Sequence, residues 1–242
     1  MPNPRAGLWA VVPVKRFAES KQRLAPRLDL DQRVALAGAM LEDVLAALTH
    51  SPALAGVLVI TGDASAAAIA RAAGALVIAD DENAGTSAAV TRAARHLAAL
   101  GSPGMLVVPA DVPLITPADV ETIVAAHRQS YQWPAVTLVP ASMDGGTNAL
   151  ACSPPDAIPL CFGEESYARH RDAALAHGIE PQTVRLTRVG RDIDRPEDVA
   201  DFLLHPSPTR TYAWLSLRAG KGAIASQCSQ DVAGIPAPFV SS

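Results

Sequence analysis

Short apolar runs of strand length recur along the first half of the chain, with helical patterns between them. The runs are LWAVVPV at residues 8–14, GVLVIT at 56–61, ALVIAD at 75–80 and GMLVVPAD at 104–111. Runs this uniformly apolar are typical of strands that are covered on both faces. They predict a parallel sheet that lies between two layers of helices.

The segments between these runs carry helical periodicity. From residue 31 to 48 the apolar positions recur every three or four residues, and Asp29 or Asp31 is available as the N-cap. Alanine-rich patterns at 64–73 and 86–100 predict two more helices of the same kind.

A fourth helix is predicted by its start signals. Thr116 is the expected cap, Pro117 takes the first helical position and Asp119 takes the capping-box position, for a helix that ends near residue 127. The alternation of strand and helix predicts a three-layer α/β fold with right-handed crossovers.

The second half of the chain has a less regular pattern. The turn sequence SMDGG joins two apolar runs and predicts a hairpin. The predicted elements are strands at 135–141 and 147–154, a helix at 166–177, a strand near 183–189 and a helix at 196–204. Antiparallel strands at the side of a parallel sheet are common, so we expect a mostly parallel mixed sheet.

Sustained periodicity stops after residue 205. The remaining residues are rich in Pro, Gly, Ser and Ala. We therefore expect one domain over residues 1–205 and a tail of uncertain order over 206–242, in which Tyr212 and Trp214 are candidates for docking on the domain or on a partner.

Composition narrows the function class. The 242 residues carry a formal net charge of −4, with a pI near 5.8, which disfavours a nucleic-acid surface. Cys152, Cys161 and Cys228 form no Cys-x-x-Cys pair, which argues against a disulfide framework or a zinc knuckle. With no signal peptide pattern and no run of about 18 apolar residues, we expect a cytoplasmic protein without a membrane segment.

Cations follow the first predicted strand. The stretch VVPVKRFAESKQRL, residues 11–24, places Lys15, Arg16, Lys21 and Arg23 there. Ligands bind at the carboxyl ends of the strands in open α/β sheets, so we expect the polar residues that follow the other strands to face the same crevice. These residues are Thr61 and Asp63 after the second strand, the loop at 81–87 with Gly85 and Ser87 after the third, and Asp111 after the fourth.

Acidic residues complete this crevice. Asp192 and Asp194 alternate in GRDIDRPEDV, so both can face one side of an extended segment. Asp111 could instead be a turn former and Asp194 a helix cap, but together the acids indicate a magnesium site. Cations with a divalent metal suit phosphoryl or nucleotidyl transfer.

Other chemistries lack their motifs. The sequence contains no Walker motif and no G-x-G-x-x-G, so a nucleotide would be held differently from P-loop or dinucleotide-binding proteins. There is no H-E-x-x-H and no G-x-S-x-G, and Cys161 in PLCFGEES has the pattern of a buried small hydrophobe.

Four motifs carry a family resemblance: VPVKRFAESKQRL, VPADVPLI, GGTNALACSPPDAIPLCFGEESYARH and DIDRPEDV. Over residues 8–204 the chain resembles the guanylyltransferases of coenzyme F-420 biosynthesis, which join GTP to a small phosphorylated three-carbon acid. The first and last motifs would also suit the wider superfamily of sugar-phosphate and molybdenum-cofactor nucleotidyltransferases. The resemblance implies a Rossmann-like, GT-A-like nucleotidyltransferase fold.

The resemblance also implies site residues. Contacts to the triphosphate are expected from Lys15, Lys21 and Arg23, and magnesium ligands from Asp111, Asp192 and Asp194. The segments expected to hold the phosphorylated acid contain Thr147, Asn148, Gly163, Glu165 and Ser166. The loop at 81–87 is expected near guanine, and the nucleotide-binding candidates are Thr61, Asp63, Gly85 and Ser87. The family often reads Gly-Leu-Asn where this chain has Gly85, Thr86 and Ser87.

The mechanism implied is direct, in-line attack of the acceptor phosphate on the α-phosphate of GTP. An ionised phosphate needs no general base. The acceptor could be 2-phospho-L-lactate, phosphoenolpyruvate or 3-phospho-D-glycerate; the short alanine-rich chain and the altered guanine loop favour the last. The alternatives are a molybdopterin or sugar-phosphate nucleotidyltransferase, or a non-catalytic nucleotide-binding module. The resemblance also implies a homodimer.

Overall fold

A computed structural model describes residues 7–130 and 132–219. Its sheet has seven strands in the order β3-β2-β1-β4-β6-β5-β7. The strands are β1 (Leu8–Val14), β2 (Leu54–Thr61), β3 (Leu76–Ala79), β4 (Met105–Val107), β5 (Ala135–Pro140), β6 (Thr147–Ser153) and β7 (Gln182–Thr183). The first four strands are mutually parallel, β6 runs antiparallel to β4 and β5, and β7 is parallel to β5. The predicted mixed, mostly parallel sheet is confirmed.

Helices cover both faces of the sheet. They are α1 (Leu30–Thr49), α2 (Ala64–Ala72), α3 (Thr86–Ala99), α4 (Pro117–Arg128), α5 (Ser166–Ala176), α6 (Pro196–Leu203) and α7 (Arg210–Ala219). Alternate residues of β1 point to opposite faces: Ala10 and Val12 share a core with α1 and α4, whereas Trp9 and Val11 share a core with α3. Burial on both faces explains why the parallel strands read as continuous apolar runs.

The local start signals of two helices hold as predicted. Asp29 forms a capping box with Gln32 at the start of α1. Thr116 and Asp119 form the capping box of α4, with Pro117 in the first position. In both cases the signal is confined to four consecutive residues.

The predicted strand at 183–189 is wrong over most of its length. Strand β7 contains only Gln182 and Thr183. Beyond it, Val184 donates one further hydrogen bond to Leu138, and a turn then closes through the bond from Gly190 N–H to Leu186 O. The alternating apolar residues still pack on the core, but the backbone leaves the sheet.

Helix α7 lies in the segment where the sequence indicated no regular element. Asp43 of α1 caps its start: Oδ1 accepts from Arg210 N–H at 2.8 Å, and Oδ2 accepts from Thr211 N–H at 2.8 Å and from its hydroxyl at 2.6 Å. Tyr212 and Trp214 pack on the domain beside a core cluster that includes Leu215. Residues 220–242, including Cys228, lie outside the described residues.

None of the helices in the described part of the chain is long and apolar enough to cross a membrane.

Candidate active site

A cleft of about 510 Å³ opens at the carboxyl edge of the parallel strands. It is lined by the loop after β1, the segment after β4, the turn between β5 and β6, and the loop before α5. All residues predicted for the triphosphate and the metal line it: Lys15, Lys21, Arg23, Asp111, Asp192 and Asp194. Of the residues predicted for the acid, Thr147, Asn148, Gly163 and Ser166 line it as well.

Lys21 lies between two of the acids. Its Nζ is 2.8 Å from Asp111 Oδ2 and 2.6 Å from Asp194 Oδ1, on a side chain that is only 7% exposed. Burial alone would lower the pKa of Lys21, but the charges and hydrogen bonds of the two carboxylates more than offset it and raise the pKa. Lys21 is therefore a fixed cation in the cleft.

The backbone at Lys21 is unusual for a residue with a side chain. It has φ 54° and ψ 36°, in the left-handed region, between short 3-10 helices at Phe17–Glu19 and Gln22–Leu24. This conformation costs a non-glycine residue on the order of 1 kcal/mol or more. The double ion pair offsets that cost and turns the side chain inward.

One apolar cluster underlies the segments that carry the charges. Leu24 follows Arg23, Leu114 lies three residues after Asp111, and Ile193 lies between the two aspartates of the last motif; all three are buried in the same cluster. A backbone hydrogen bond of 3.0 Å from Ile193 to Asp111 joins two of these segments directly. Packing thus brings together charges that are remote in sequence.

Asp194 does not act as a helix cap. The backbone N–H groups of Asp194 and Arg195 donate to Asp198 Oδ2 at 2.9 and 2.7 Å, so Asp198 satisfies the start of α6. The carboxylate of Asp194 is left for Lys21. The alternative explanation of this aspartate from the sequence is thereby removed.

Asn148 orients the third acid. Its Nδ2 donates to Asp192 Oδ1 and to Val189 O, both at 3.0 Å. Burial, and next the charge of Asp111, raise the pKa of Asp192 to about 6. The acids are therefore close enough to repel one another, a repulsion that a cation would relieve.

The donor chemistry fits magnesium bound together with phosphates. Carboxylate oxygens are the hard ligands that magnesium prefers, and one or two suffice when phosphates and water complete the octahedron. Within residues 7–130 and 132–219, no three His, Cys, Asp or Glu side chains converge to form a metal site by themselves. The assignment of Asp111, Asp192 and Asp194 as metal ligands stays a prediction.

The other two cations are more exposed. Arg23 is 51% exposed, with its guanidinium 3.7 Å from both Asp194 and Glu164. Lys15 is exposed at the cleft, and the described residues provide no ion pair for it. Both side chains are able to turn toward an anion.

Two predicted nucleotide residues have other contacts. Asp63 caps α2 by accepting from Ser65 and Ala66 N–H, and its second oxygen accepts from Phe17 N–H at 2.9 Å. Thr61 is buried and accepts from Asp63 N–H at 3.1 Å. Neither lines the cleft; together they fix the cationic loop to α2, and their contact with a nucleotide stays a prediction.

The loop predicted near guanine touches the cleft through Thr86. Gly85 has φ 94° and precedes α3, and the Ser87 hydroxyl lies 3.4 Å from Phe162 O on the opposite wall. The Glu165 carboxylate lies over Gly145, where an added Cβ would be 2.9 Å from Oε2. None of these three predicted residues lines the cleft: Gly85, Ser87 and Glu165.

The start of α5 forms the far wall. Ser166, its first residue, is 2% exposed and accepts a 2.9 Å hydrogen bond from Thr147 N–H. The Thr147 hydroxyl lies 3.0 Å from Nδ1 of the buried His170. Sequence reasoning gave His170 no role, although it stands one helical turn after Ser166, a spacing that puts both side chains on one face.

The chain is similar to known guanylyltransferases. Residues 8–222 match the family model described as guanylyl transferase CofC like. A phosphoenolpyruvate guanylyltransferase from Conexibacter woesei is 36% identical over 191 residues, covering 79% of this chain and 85% of that protein. A 3-phospho-D-glycerate guanylyltransferase from Colwellia psychrerythraea is 34% identical over 198 residues, covering 82% and 92%. A 2-phospho-L-lactate guanylyltransferase from Methanobrevibacter smithii is 26% identical over 208 residues, covering 86% and 89%.

Among solved structures, a nucleotide-diphospho-sugar transferase from Desulfovibrio desulfuricans superposes with a TM-score of 0.69 at 18% identity, covering 89% of this chain and 96% of that one. This likeness concerns the fold alone, and it confirms the predicted nucleotidyltransferase fold. Because the family model spans most of the chain and two relatives exceed 30% identity over most of it, the chain belongs to the CofC-like guanylyl transferase family.

Proposed function

We propose that this protein transfers the guanylyl group of GTP to a small phosphorylated three-carbon acid and releases pyrophosphate. The observation that carries the proposal is the buried Lys21 ammonium held by Asp111 and Asp194, with Asp192 beside them, in a cleft at the strand ends. Such a site concentrates fixed charge of both signs, which transfer between phosphates requires.

The reaction needs positioning and charge rather than a proton acceptor. A phosphate oxygen of the acid attacks the α-phosphorus of GTP, and the bond from that phosphorus to the bridging oxygen of pyrophosphate breaks. Lys21 is in place to offset negative charge on the transferring group, and Lys15 and Arg23 are exposed cations able to hold the leaving pyrophosphate. The acceptor phosphate is already ionised at neutral pH, so no base is required.

We propose magnesium as the cofactor, held by Asp111, Asp192 and Asp194. When bound, it would neutralise and orient the phosphates of the nucleotide. Asn148 fixes the direction of the Asp192 carboxylate through its 3.0 Å hydrogen bond. Lys21 holds the other two carboxylates toward one point.

We propose that the acid binds against the start of α5. The first two N–H groups of α5, on Ser166 and Tyr167, already donate to Gly163 O and Gly145 O at 3.1 and 3.0 Å. The helix dipole still favours an anion at this end. The Ser166 hydroxyl accepts from the backbone of Thr147, which leaves its own hydrogen free to donate into the cleft. These features suit the phosphate or carboxylate of a small acid.

Among the acids, we place phosphoenolpyruvate first. Relatives from Conexibacter woesei and Roseiflexus castenholzii, 36% and 40% identical, carry that acid in their names. The sequence pattern alone favoured 3-phospho-D-glycerate, the acid named for the Colwellia psychrerythraea relative at 34% identity. The guanylylated form of either acid would feed the biosynthesis of coenzyme F-420 that the family resemblance implies.

The test measures pyrophosphate release. Purified protein is incubated with magnesium, GTP and one of phosphoenolpyruvate, 3-phospho-D-glycerate or 2-phospho-L-lactate, and arms with ATP, CTP and UTP test base choice. We expect release with GTP and at least one acid. Arms with glucose 1-phosphate or molybdopterin test the alternative nucleotidyltransferases. GTP binding without pyrophosphate release from any of the three acids would overturn the proposal in favour of a binding module.

A further inference from the structure

The strongest feature that this mechanism does not use is His170, a histidine with no exposed surface on α5. Both of its ring nitrogens have partners, and one of these partners, Thr147, lines the cleft. Nε2 accepts from Cys161 N–H at 2.9 Å, and Nδ1 lies 3.0 Å from the Thr147 hydroxyl oxygen. The edge of the Phe162 ring packs against the imidazole, with the ring centroids 4.8 Å apart. His170 thus joins strand β6 to the loop that precedes α5.

These bonds determine which nitrogen carries the hydrogen. A backbone N–H can only donate, so Nε2 must be the unprotonated, accepting nitrogen of a neutral imidazole. Nδ1 then carries the hydrogen and donates to Thr147. Burial lowers the pKa of His170 to about 4, which keeps the ring neutral near pH 7.

The tautomer in turn sets the direction of the Thr147 hydroxyl. Because its oxygen accepts from Nδ1, its single hydrogen is left to donate elsewhere. His170 is the one partner that the described part of the chain provides for this hydroxyl, and Thr147 lines the cleft. The hydroxyl hydrogen is therefore available to donate into the cleft, which suits an anion.

We propose that His170 is a positioning residue for the acceptor: its Nδ1–H fixes the Thr147 hydroxyl as a hydrogen-bond donor to the phosphorylated acid. The inference rests on the proposed function for the identity of the anion. It assigns to His170 no contact with GTP and no proton transfer.

Two substitutions separate the two bonds of the ring. In His170→Gln, the amide oxygen reaches the position of Nε2 and can still accept from Cys161, but the donor to Thr147 is lost. In His170→Asn, the amide nitrogen stands near Nδ1 and can still donate to Thr147, but the acceptor for Cys161 is lost. We expect His170→Gln to raise the KM for the acid about tenfold or more and to leave the KM for GTP within about twofold. We expect His170→Asn to raise the KM for the acid less than threefold.

Thr147→Val completes the design. It removes the hydroxyl and should raise the KM for the acid as much as His170→Gln does, and the double variant should add no more than about twofold. A His170→Gln protein that is folded and has an unchanged KM for the acid would overturn the inference. So would a double variant whose effect is the product of the two single effects.

His127 provides the matched control. It is also buried, its ring nitrogens lie 3.0 and 2.9 Å from the hydroxyls of Thr137 and Ser153, and burial lowers its pKa to about 4. Neither of these partners lines the cleft, whereas Thr147, the partner of His170, does. We expect His127→Gln to lower stability without changing the KM for the acid. An equal rise in KM would reduce the role of His170 to general stability.

Two readouts do not depend on turnover. Long-range ¹H–¹⁵N NMR of the wild-type imidazole should report hydrogen on Nδ1; hydrogen on Nε2 would overturn the inference even if every variant fails to fold.

Calorimetry measures the affinity for phosphoenolpyruvate, with 3-phospho-D-glycerate and 2-phospho-L-lactate as further probes. This affinity should fall in His170→Gln and not in His127→Gln. Binding with this pattern but without turnover would refute the proposed function alone, whereas a wild-type protein that binds none of the acids would refute both.

Discussion

The Lys21 ammonium lies 2.6 Å from Asp194 Oδ1, closer than to its other partner, Asp111, at 2.8 Å. A cation of the chain thus stands between two carboxylates that we propose as ligands of magnesium. Entry of a metal would therefore compete with Lys21 for the same oxygens. This competition can be measured without substrates.

We predict that Lys21→Gln binds manganese, as a spectroscopic substitute for magnesium, about tenfold more tightly than the wild type when no nucleotide is present. Removing the ammonium leaves facing carboxylates without a counter-charge, and close charges in a partly buried site interact by more than 1 kcal/mol. Electron paramagnetic resonance of free manganese gives the affinity. Lys15→Gln removes the same charge from an exposed position of the cleft and should change affinity less than threefold; equal gains in both variants would contradict the competition.

We predict that Asp111→Asn lowers turnover at least 10²- to 10³-fold while the protein stays folded. The substitution keeps the side-chain size but removes one of the charges that position the cation. Steady-state pyrophosphate release and circular dichroism measure the two properties. Asp144→Asn alters an exposed acid that also lines the cleft and should lower turnover less than about threefold.

Chelation of the metal should abolish turnover reversibly, and activity that persists in chelator would exclude the cofactor.

We predict that stability falls as the pH drops from about 6.5 toward 4. Burial lowers the pKa of both His127 and His170 from 6.5 to about 4, so in this window the unfolded chain binds two protons at these histidines that the folded protein does not. The raised pKa of Asp192, about 6, acts in the opposite direction for one proton, so the two histidines outweigh it. A shift of this size is worth up to about 3 kcal/mol per histidine. Urea unfolding at several pH values measures it. In His127→Gln the loss between pH 7 and 4.5 should be smaller by about 2 kcal/mol, and an unchanged pH dependence would be inconsistent with a buried neutral histidine.

We predict that Asp43→Ala lowers the free energy of unfolding by about 2–3 kcal/mol, because three hydrogen-bond donors at the start of α7 lose their acceptor. Amide exchange in α7 should quicken first. The neighbouring Glu42 forms a 3.2 Å ion pair with the exposed Arg210. Glu42→Gln should cost less than about 0.5 kcal/mol, and a similar loss in both variants would argue against a capping role for Asp43.

How much the sequence could predict depended on the distance between interacting residues. The parallel strands of the first half, the capping box at Thr116 and the cap at Asp29, one of two candidates, are encoded by neighbouring positions, and they were predicted. The cap of α7 is supplied by Asp43, 168 positions from Thr211, and no local pattern contains it. The same reason hides His170, whose role depends on contacts with Thr147 and Cys161.

Asp63 shows the opposite case: a local signal for a helix cap was present in the sequence, but its position after a strand was given more weight. It follows a strand at the ligand-binding edge, which suggested the nucleotide, yet it also precedes an alanine-rich helix that needs a cap. An aspartate suits both roles, ligand contact and helix cap. Only the contacts with Ser65, Ala66 and Phe17 in the structure identify Asp63 as a cap. Residue type and strand position alone therefore do not distinguish a helix cap from a ligand contact at this edge.

The packing of α7 bears on where the protein can safely be shortened. Leu215 belongs to the buried cluster that also holds Leu24, Ile193 and Met40, and Met40 itself lines the cleft. A chain cut at residue 205, where the sequence periodicity ends, would retain every charged residue of the site. It would nevertheless lose the packing of α7 against the cluster that contains Leu24, which belongs to the same loop as Lys21. Reduced activity in such a truncated protein would therefore reflect weaker packing under this loop and not the loss of a ligand-binding residue.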